Sequence, residues 1–250
     1  MNRGWRIGLF LGAAVGLAVL LVWGFAGIPA FGHYRGPYGD LLNAVGVRER
    51  HATDVVAAVV LDYRGFDTLG EEFILFASVV GVALLLRAGR EEEQIDPSQL
   101  ARARERPPTT DAVRTLGLAL VGPTVLLGLY VVAHGHLTPG GGFQGGAVLA
   151  SASILVFLCG KYLTFRRLNP VSVLDADEGA GAGGLPAMGL IAILAGSPFL
   201  ANVLPLGTVG DVFSAGTLPL LNLSIGVGVA AGLVLILSEF LEQTLAIRQR

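Results

Sequence analysis

Charge is what this chain is short of. Only 14% of its 250 residues are Asp, Glu, Lys or Arg, against roughly 25% in a soluble globular domain. Hydrophobic residues make up 53% and mean hydropathy is +0.67, so too few charged groups exist to cover a surface in water. Lipid is the expected solvent. Cysteine is nearly missing too: the single Cys159 excludes an internal disulfide, and it excludes any zinc or iron–sulfur centre built from several thiolates of this chain. Net charge is −2 with no basic block interleaved with aromatics, which excludes nucleic acid as a partner. No Ser/His/Asp set, Cys–His pair, redox motif or nucleotide fingerprint is present, and no fixed-period repeat. A self-contained enzyme and a bound cofactor are not expected.

What is abundant is long uncharged sequence. Crossing about 30 Å of hydrocarbon takes roughly 20 apolar residues, and Ile7–Phe31 has no charge. It is too long for a signal-peptide core and lacks a small-residue cleavage site, so it reads as a retained helix. Phe73–Leu86 is shorter, about 21 Å as a helix, so Glu71, Glu72 and Arg87 at its flanks must approach the hydrocarbon. Thr115–Ala133, Phe143–Gly160, Gly179–Gly210 and Val212–Ser238 supply four more uncharged stretches. Val55–Leu61 is too short to cross. The expectation is an all-α polytopic membrane protein of about six transmembrane helices.

Loop charge sets the orientation. With the N-terminus inside, 13 Lys and Arg fall on the cytoplasmic side and only Arg35, Arg48, Arg50 and Arg64 outside. That bias favours an N-in, C-in topology. The segment 89–110 (GREEEQIDPSQLARARERPPTT) carries both signs of charge and ends in Pro-Pro-Thr-Thr. It reads as a cytoplasmic linker between a two-helix part, residues 1–88, and a four-helix part, residues 111–250.

Gly8, Gly12 and Gly16, and Gly228 with Gly232, form small-xxx-small patterns suited to close helix packing. Glu71 and Glu72 begin the second span, where a helix N-terminus favours an acid. A carboxylate drawn toward low dielectric there can also exchange protons. Glu71, then Asp67, are the candidates for an ion path, and Arg64 can pair with either acid. His134 and His136 precede Pro139, Gly140, Gly141, Gly142, Gln144, Gly145 and Gly146. Two His without a third ligand do not make a metal site, and a phosphate loop would end in Gly-Lys-Ser/Thr. The glycines instead allow a sharp return between spans, with Gln144 placed to satisfy freed backbone groups. Either histidine can hold the structure by hydrogen bonds or pass protons. Asn202, Asn222 and Ser224 are expected to hydrogen-bond between helices.

Two of these stretches resemble a known family. HGHLTPGGGFQGG, His134 to Gly146, and GTVGDVFSAGTLPLLNLSIGVGV, Gly207 to Val229, are similar to the MnhB domain, the B-type subunit of Mrp-type multisubunit sodium/proton (Na⁺/H⁺) antiporters. DYRGFDTLGE, Asp62 to Glu71, resembles the C-terminal membrane piece of the large, A-type subunit of those antiporters. That piece stands as a separate small protein in related membrane-bound hydrogenases. The resemblance implies a fusion of two neighbours in a bacterial or archaeal cytoplasmic membrane, with several partner membrane subunits. It implies exchange of Na⁺ for H⁺ by the whole assembly, and it carries the motif's acid onto Glu71. The expected function is a non-catalytic subunit of such an antiporter. The alternatives are a membrane-arm subunit of a redox-driven pump such as a membrane-bound hydrogenase, and a scaffold that seats neighbouring helices and lipid.

Overall fold

The structure, a computed structural model, describes residues 3–28, 36–91, 110–160 and 162–248. Every regular element among them is helical: α1 (Arg3–Ala26), α2 (Pro37–Arg50), α3 (Val55–Ala58), a π-helical turn (Val59–Tyr63), α4 (Gly65–Glu91), α5 (Asp111–Ala133), α6 (Gly142–Cys159), α7 (Tyr162–Leu168), α8 (Val171–Leu194) and α9 (Leu218–Arg248). The chain falls into two compact units, Met1–Leu41 and Leu42–Arg250. The first consists mainly of α1, an apolar helix without a buried residue.

In the second unit α9 is the hub, packing against α8, α6 and α4, while α5 lies along α6. Large apolar side chains such as Ile74, Leu85, Leu126 and Leu194 point outward, as lipid-facing residues do. Close approach of backbones fills the inside. A Cβ on Gly146 would lie 2.8 Å from the Gly226 carbonyl oxygen, and one on Gly181 would overlap the Gly228 backbone. Small residues at these crossings replace the hydrophobic driving force that lipid removes.

Five helices are long and apolar enough to cross a membrane among the described residues: Ile7–Ala26, Gly65–Arg87, Asp111–Ala133, Gly142–Cys159 and Leu218–Leu241. The chain is an all-α polytopic membrane protein. Two expected spans need correcting. The second starts eight residues before Phe73, so Asp67, Glu71 and Glu72 lie within its helix. The fifth is α8, which begins at Val171 rather than Gly179 and takes Asp175, Asp177 and Glu178 into the helix. Those acids keep α8 out of the apolar class. It ends at Leu194 because Gly196 adopts a φ of +78°, letting the Gly196 and Ser197 amides donate to Ile193 and Ala192 carbonyls at 2.9 Å. This left-handed glycine cap closes a helix, and 195–217 continues as irregular chain.

Of the expected linker, Gly89, Arg90 and Glu91 extend α4. The Thr110 side chain caps α5 by accepting from the Val113 amide at 3.4 Å. The remainder, 92–109, lies outside the described residues. The short apolar run at Val55 forms α3 and the π turn, with Ala57, Ala58 and Leu61 buried.

Candidate functional site

The glycine run starts α6. Gly140 and Gly141 hold φ values of +155° and +115°, a region that residues with a Cβ rarely adopt. A Cβ on Gly142 would stand 2.6 Å from Ile225 Cβ and from the Asn222 carbonyl oxygen, so α6 begins wedged against α9. The Gly142 amide, one of the unsatisfied donors at a helix start, donates to Asn222 Oδ1 at 2.9 Å. Asn222, not Gln144, thus meets this freed backbone group; Gln144 is exposed. Pro139 is exposed one residue before the turn.

The segments before α4, after α5 and after α8 meet at one end of the bundle. The His51 ring lies 2.6 Å from the Gly207 carbonyl oxygen, and the Thr53 hydroxyl donates to the Leu137 carbonyl at 2.5 Å. Asp62 pairs with Arg50 at 3.1 Å and accepts from the Asn202 amide at 3.1 Å. Burial pushes the Asp62 carboxyl up, while the Asn202 hydrogen bond and the Arg50 charge pull it down. Asn202 lies in irregular chain rather than in a span, and its Oδ1 accepts from the Thr217 amide at 2.9 Å. His136 is fully buried here, with neither ring nitrogen in a well-formed hydrogen bond. Burial lowers its pKa; the nearby backbone of Asp211 and Val212 acts the other way, and His134 adds to the lowering. His134 stacks on Tyr130, ring centroids 4.2 Å apart, and its Nδ1 lies 3.2 Å from the Tyr130 carbonyl oxygen.

A charged seam runs from this end between α4, α8 and α9. Glu72, Glu178 and Glu239 are 2%, 6% and 2% exposed. Glu72 sits against the bare backbone of α9, where a Cβ on Gly228 would be 2.5 Å from its Oε1. One turn along α9, Gly232 leaves similar room: a Cβ there would stand 3.8 Å from Glu178 Cγ. Glu178 lies within Coulombic range of Glu72. Glu72 Oε2 and Glu178 Oε1 are buried without a hydrogen-bond partner. One turn before Glu178, Asp175 receives two hydrogen bonds from the Arg87 guanidinium, at 2.9 and 3.1 Å. Arg87 Nε donates to Glu239 Oε1 at 2.7 Å. These contacts require α8 to run antiparallel to both α4 and α9.

The expected site residues separate. Glu71 is exposed on α4 while its neighbour Glu72 points inward. Asp67 pairs with Arg64 on the exposed start of α4. Ser224 donates to the Gly181 carbonyl at 3.0 Å, joining α9 to α8. Glu178 and Glu239 belong to the site, yet neither stands out as a candidate in the sequence. The available signal for Glu178 is its place three residues after Asp175, on the same face of a helix.

Residues 112–235 match the family described as a domain related to the MnhB subunit of Na⁺/H⁺ antiporter. The B-type Na⁺/H⁺ antiporter subunit of Bacillus subtilis is 36% identical over 97 residues, covering 38% of this chain and 66% of that protein. Among solved structures, a chain of the membrane-bound sulfane sulfur reductase, an archaeal respiratory membrane complex, is similar with TM-score 0.68 and 30% identity, over 95% of this chain and 98% of that one. A chain of the Mrp complex from Dietzia sp. DQ12-45-1b shares the fold with TM-score 0.67 at 23% identity, over 96% of this chain but 26% of that one. Both neighbours are parts of multisubunit membrane complexes, and other membrane subunits are the partners this fold is built for. The chain is a multi-pass membrane protein, and through residues 112–235 it belongs to the MnhB-related family.

Proposed function

We propose that this chain is a non-catalytic membrane subunit of a multisubunit cation/proton antiporter, exchanging Na⁺ for H⁺ as a whole assembly in the cytoplasmic membrane. It contributes both to assembly and to the ion path. The observation that carries the second role is the seam in which buried Glu72, Glu178 and Glu239 line up with the more exposed Asp175 and Arg87. Ionisable groups inside a membrane bundle are costly and mark ion or proton routes. Glu72 and Glu178 have no ion-pair partner among the described residues, so they are the groups suited to taking up and releasing protons. Glu71, exposed next to Glu72, is placed to extend the route into a neighbouring protein of the complex. The charge bias of the loops supports an N-in, C-in orientation, which puts Arg87 at the cytoplasmic end. The division into residues 1–88 and 111–250 is part of this proposal, in keeping with a family match at 112–235 that falls wholly within the second part.

The test is cation/proton antiport in membrane vesicles holding the intact complex. Glu72→Gln and Glu178→Gln should each abolish most antiport while the complex still purifies whole, and Glu71→Gln should reduce it less. Full antiport in assembled Glu72→Gln and Glu178→Gln complexes would leave the chain as scaffold.

A second reading has its own support. The sulfane sulfur reductase neighbour, 30% identical over 98% of its chain, fits a membrane-arm subunit of a redox-driven pump. Recovery of reductase or hydrogenase subunits with the tagged chain in mild detergent would favour it; antiporter subunits alone would favour the first.

A further inference from the structure

The two ends of the seam are built differently. Glu72 is closed in by α9, 2% exposed, with one carboxylate oxygen unpartnered. At the other end the Asp175 side chain is 43% exposed and the Arg87 side chain 34%, so the seam opens there to headgroups or water. Glu178 lies between. The charged groups facing it are Glu72 and Arg87 from α4 and Asp175 from its own helix. From α9 it meets the bare backbone at Gly232, with Glu239 farther along and paired to Arg87.

The seam is a poor cage for a metal cation. Such ions take several oxygens, and no cluster of three acidic, His or Cys side chains that could hold one occurs among the described residues. Helix backbone carbonyls are already used by the helices. Two carboxyl groups in a row do suit a proton, which needs one donor and one acceptor.

Resting on the proposal that the seam carries protons, we propose that Arg87 is the positioning residue that keeps Glu178 able to give up its proton. Held by Asp175 and Glu239, its positive charge favours the Glu178 carboxylate against the larger repulsion from Asp175, whereas no cation pairs with Glu72 among the described residues. A proton then passes between the Glu72 carboxyl and the Glu178 carboxylate, and between Glu178 and Asp175 at the open end, in whichever sense the gradient dictates. Each step moves one proton and returns its donor to the carboxylate, and no electron moves.

The experiment is a pH titration of the purified complex in lipid, followed by infrared difference spectroscopy of the protonated carboxyl stretch. Glu72→Gln and Glu178→Gln assign the two bands by removing them. The double variant R87Q/E239Q removes the fixed charge together with the buried carboxylate it pairs with. In it the Glu178 band should titrate higher by about one pH unit or more, the size of effect a close opposite charge exerts. Arg87→Lys should restore the original titration. Asp175→Asn, which frees Arg87 of one acid, should move the band the opposite way and serves if the double variant does not assemble. An unmoved Glu178 band in either assembled variant overturns the role of Arg87. If Glu178→Gln meanwhile abolishes antiport, the proton seam stands without a part for Arg87; if antiport survives Glu178→Gln and Glu72→Gln, the seam itself falls.

Discussion

Arg87 and Glu239 are 152 residues apart in sequence and 2.7 Å apart in space. Their contact joins the C-terminal part of α4 to the late turns of α9, with Glu239 only 2% exposed. The same guanidinium reaches Asp175 on α8, so one side chain links three helices. A pair desolvated to this degree contributes little net stability as a pair. Losing one partner is different, because the buried carboxylate of Glu239 then loses the guanidinium that faces it.

That asymmetry gives the first prediction. Arg87→Ala should destabilise the protein by about 3–5 kcal/mol, read as a large fall in thermal unfolding temperature in detergent. The double variant R87M/E239L, which replaces both charges by apolar groups of similar volume, should recover most of the loss. A double variant no more stable than Arg87→Ala would show that hydrogen bonding, not charge burial, governs this junction.

A second prediction concerns the α8–α9 crossing. A Cβ on Gly181 would collide with the Gly228 backbone and lie 3.0 Å from the Ser224 carbonyl oxygen. Both neighbours are backbone and cannot rotate away. Gly181→Ala should therefore cost about 1–3 kcal/mol through overpacking. Gly179→Ala, two residues earlier on the same helix with open space around its Cβ position, should be neutral or slightly stabilising, since Ala is the better helix former. Equal unfolding temperatures for the two variants would contradict the packing described.

These two sites show what sequence can and cannot reveal. Uncharged runs locate α1, α5 and α6 within a few residues, because the bilayer imposes a length that composition must meet; α9 begins at Leu218, not Val212, and runs on past Ser238 to Arg248. The start of α8 escapes for the same reason inverted. Asp175, Asp177 and Glu178 look like loop charges in sequence, yet all three lie within the helix, where packing shelters Glu178 and leaves the two aspartates exposed. Glu71 and Glu72 are adjacent, and composition alone cannot rank them. Which one faces inward depends on the helical phase of α4 against Gly228, a tertiary contact. Asn222 is legible as an inter-helix polar group. Its particular partner, the first amide of α6, is not.

That partnership supports a third prediction. Asn222→Leu would leave the buried Gly142 N–H without its acceptor at 2.9 Å, at a cost of about 1–3 kcal/mol. Asn222→Asp keeps an acceptor in the same place and adds a charge that a helix N-terminus favours. Thermal unfolding should rank wild type and Asn222→Asp close together, with Asn222→Leu lower by several degrees. A ranking with Asn222→Asp lowest would mean that the side-chain amide N–H matters more than the oxygen.

The last prediction is a pH dependence centred on His136. Its ring is wholly buried where the chain after α5 meets the segment before α9, and burial lowers its pKa below the ordinary histidine value of 6.5. In the unfolded chain the imidazole takes a proton as pH falls through about 6.5; in the folded chain it resists until lower pH. Between those two values the unfolded state binds more protons, so stability rises with pH and falls on acidification. The contribution is full above about 6.5 and is lost as pH drops toward the folded value. Thermal unfolding of the detergent-purified protein from about pH 7.5 to about pH 5, a range that brackets the ordinary histidine titration, should therefore show a loss that His136→Asn or His136→Gln, neither of which titrates, largely removes. The same slope in those variants would rule out His136 as its source, and Asp62 cannot supply it, since a carboxyl pushed up by burial favours the folded state on acidification.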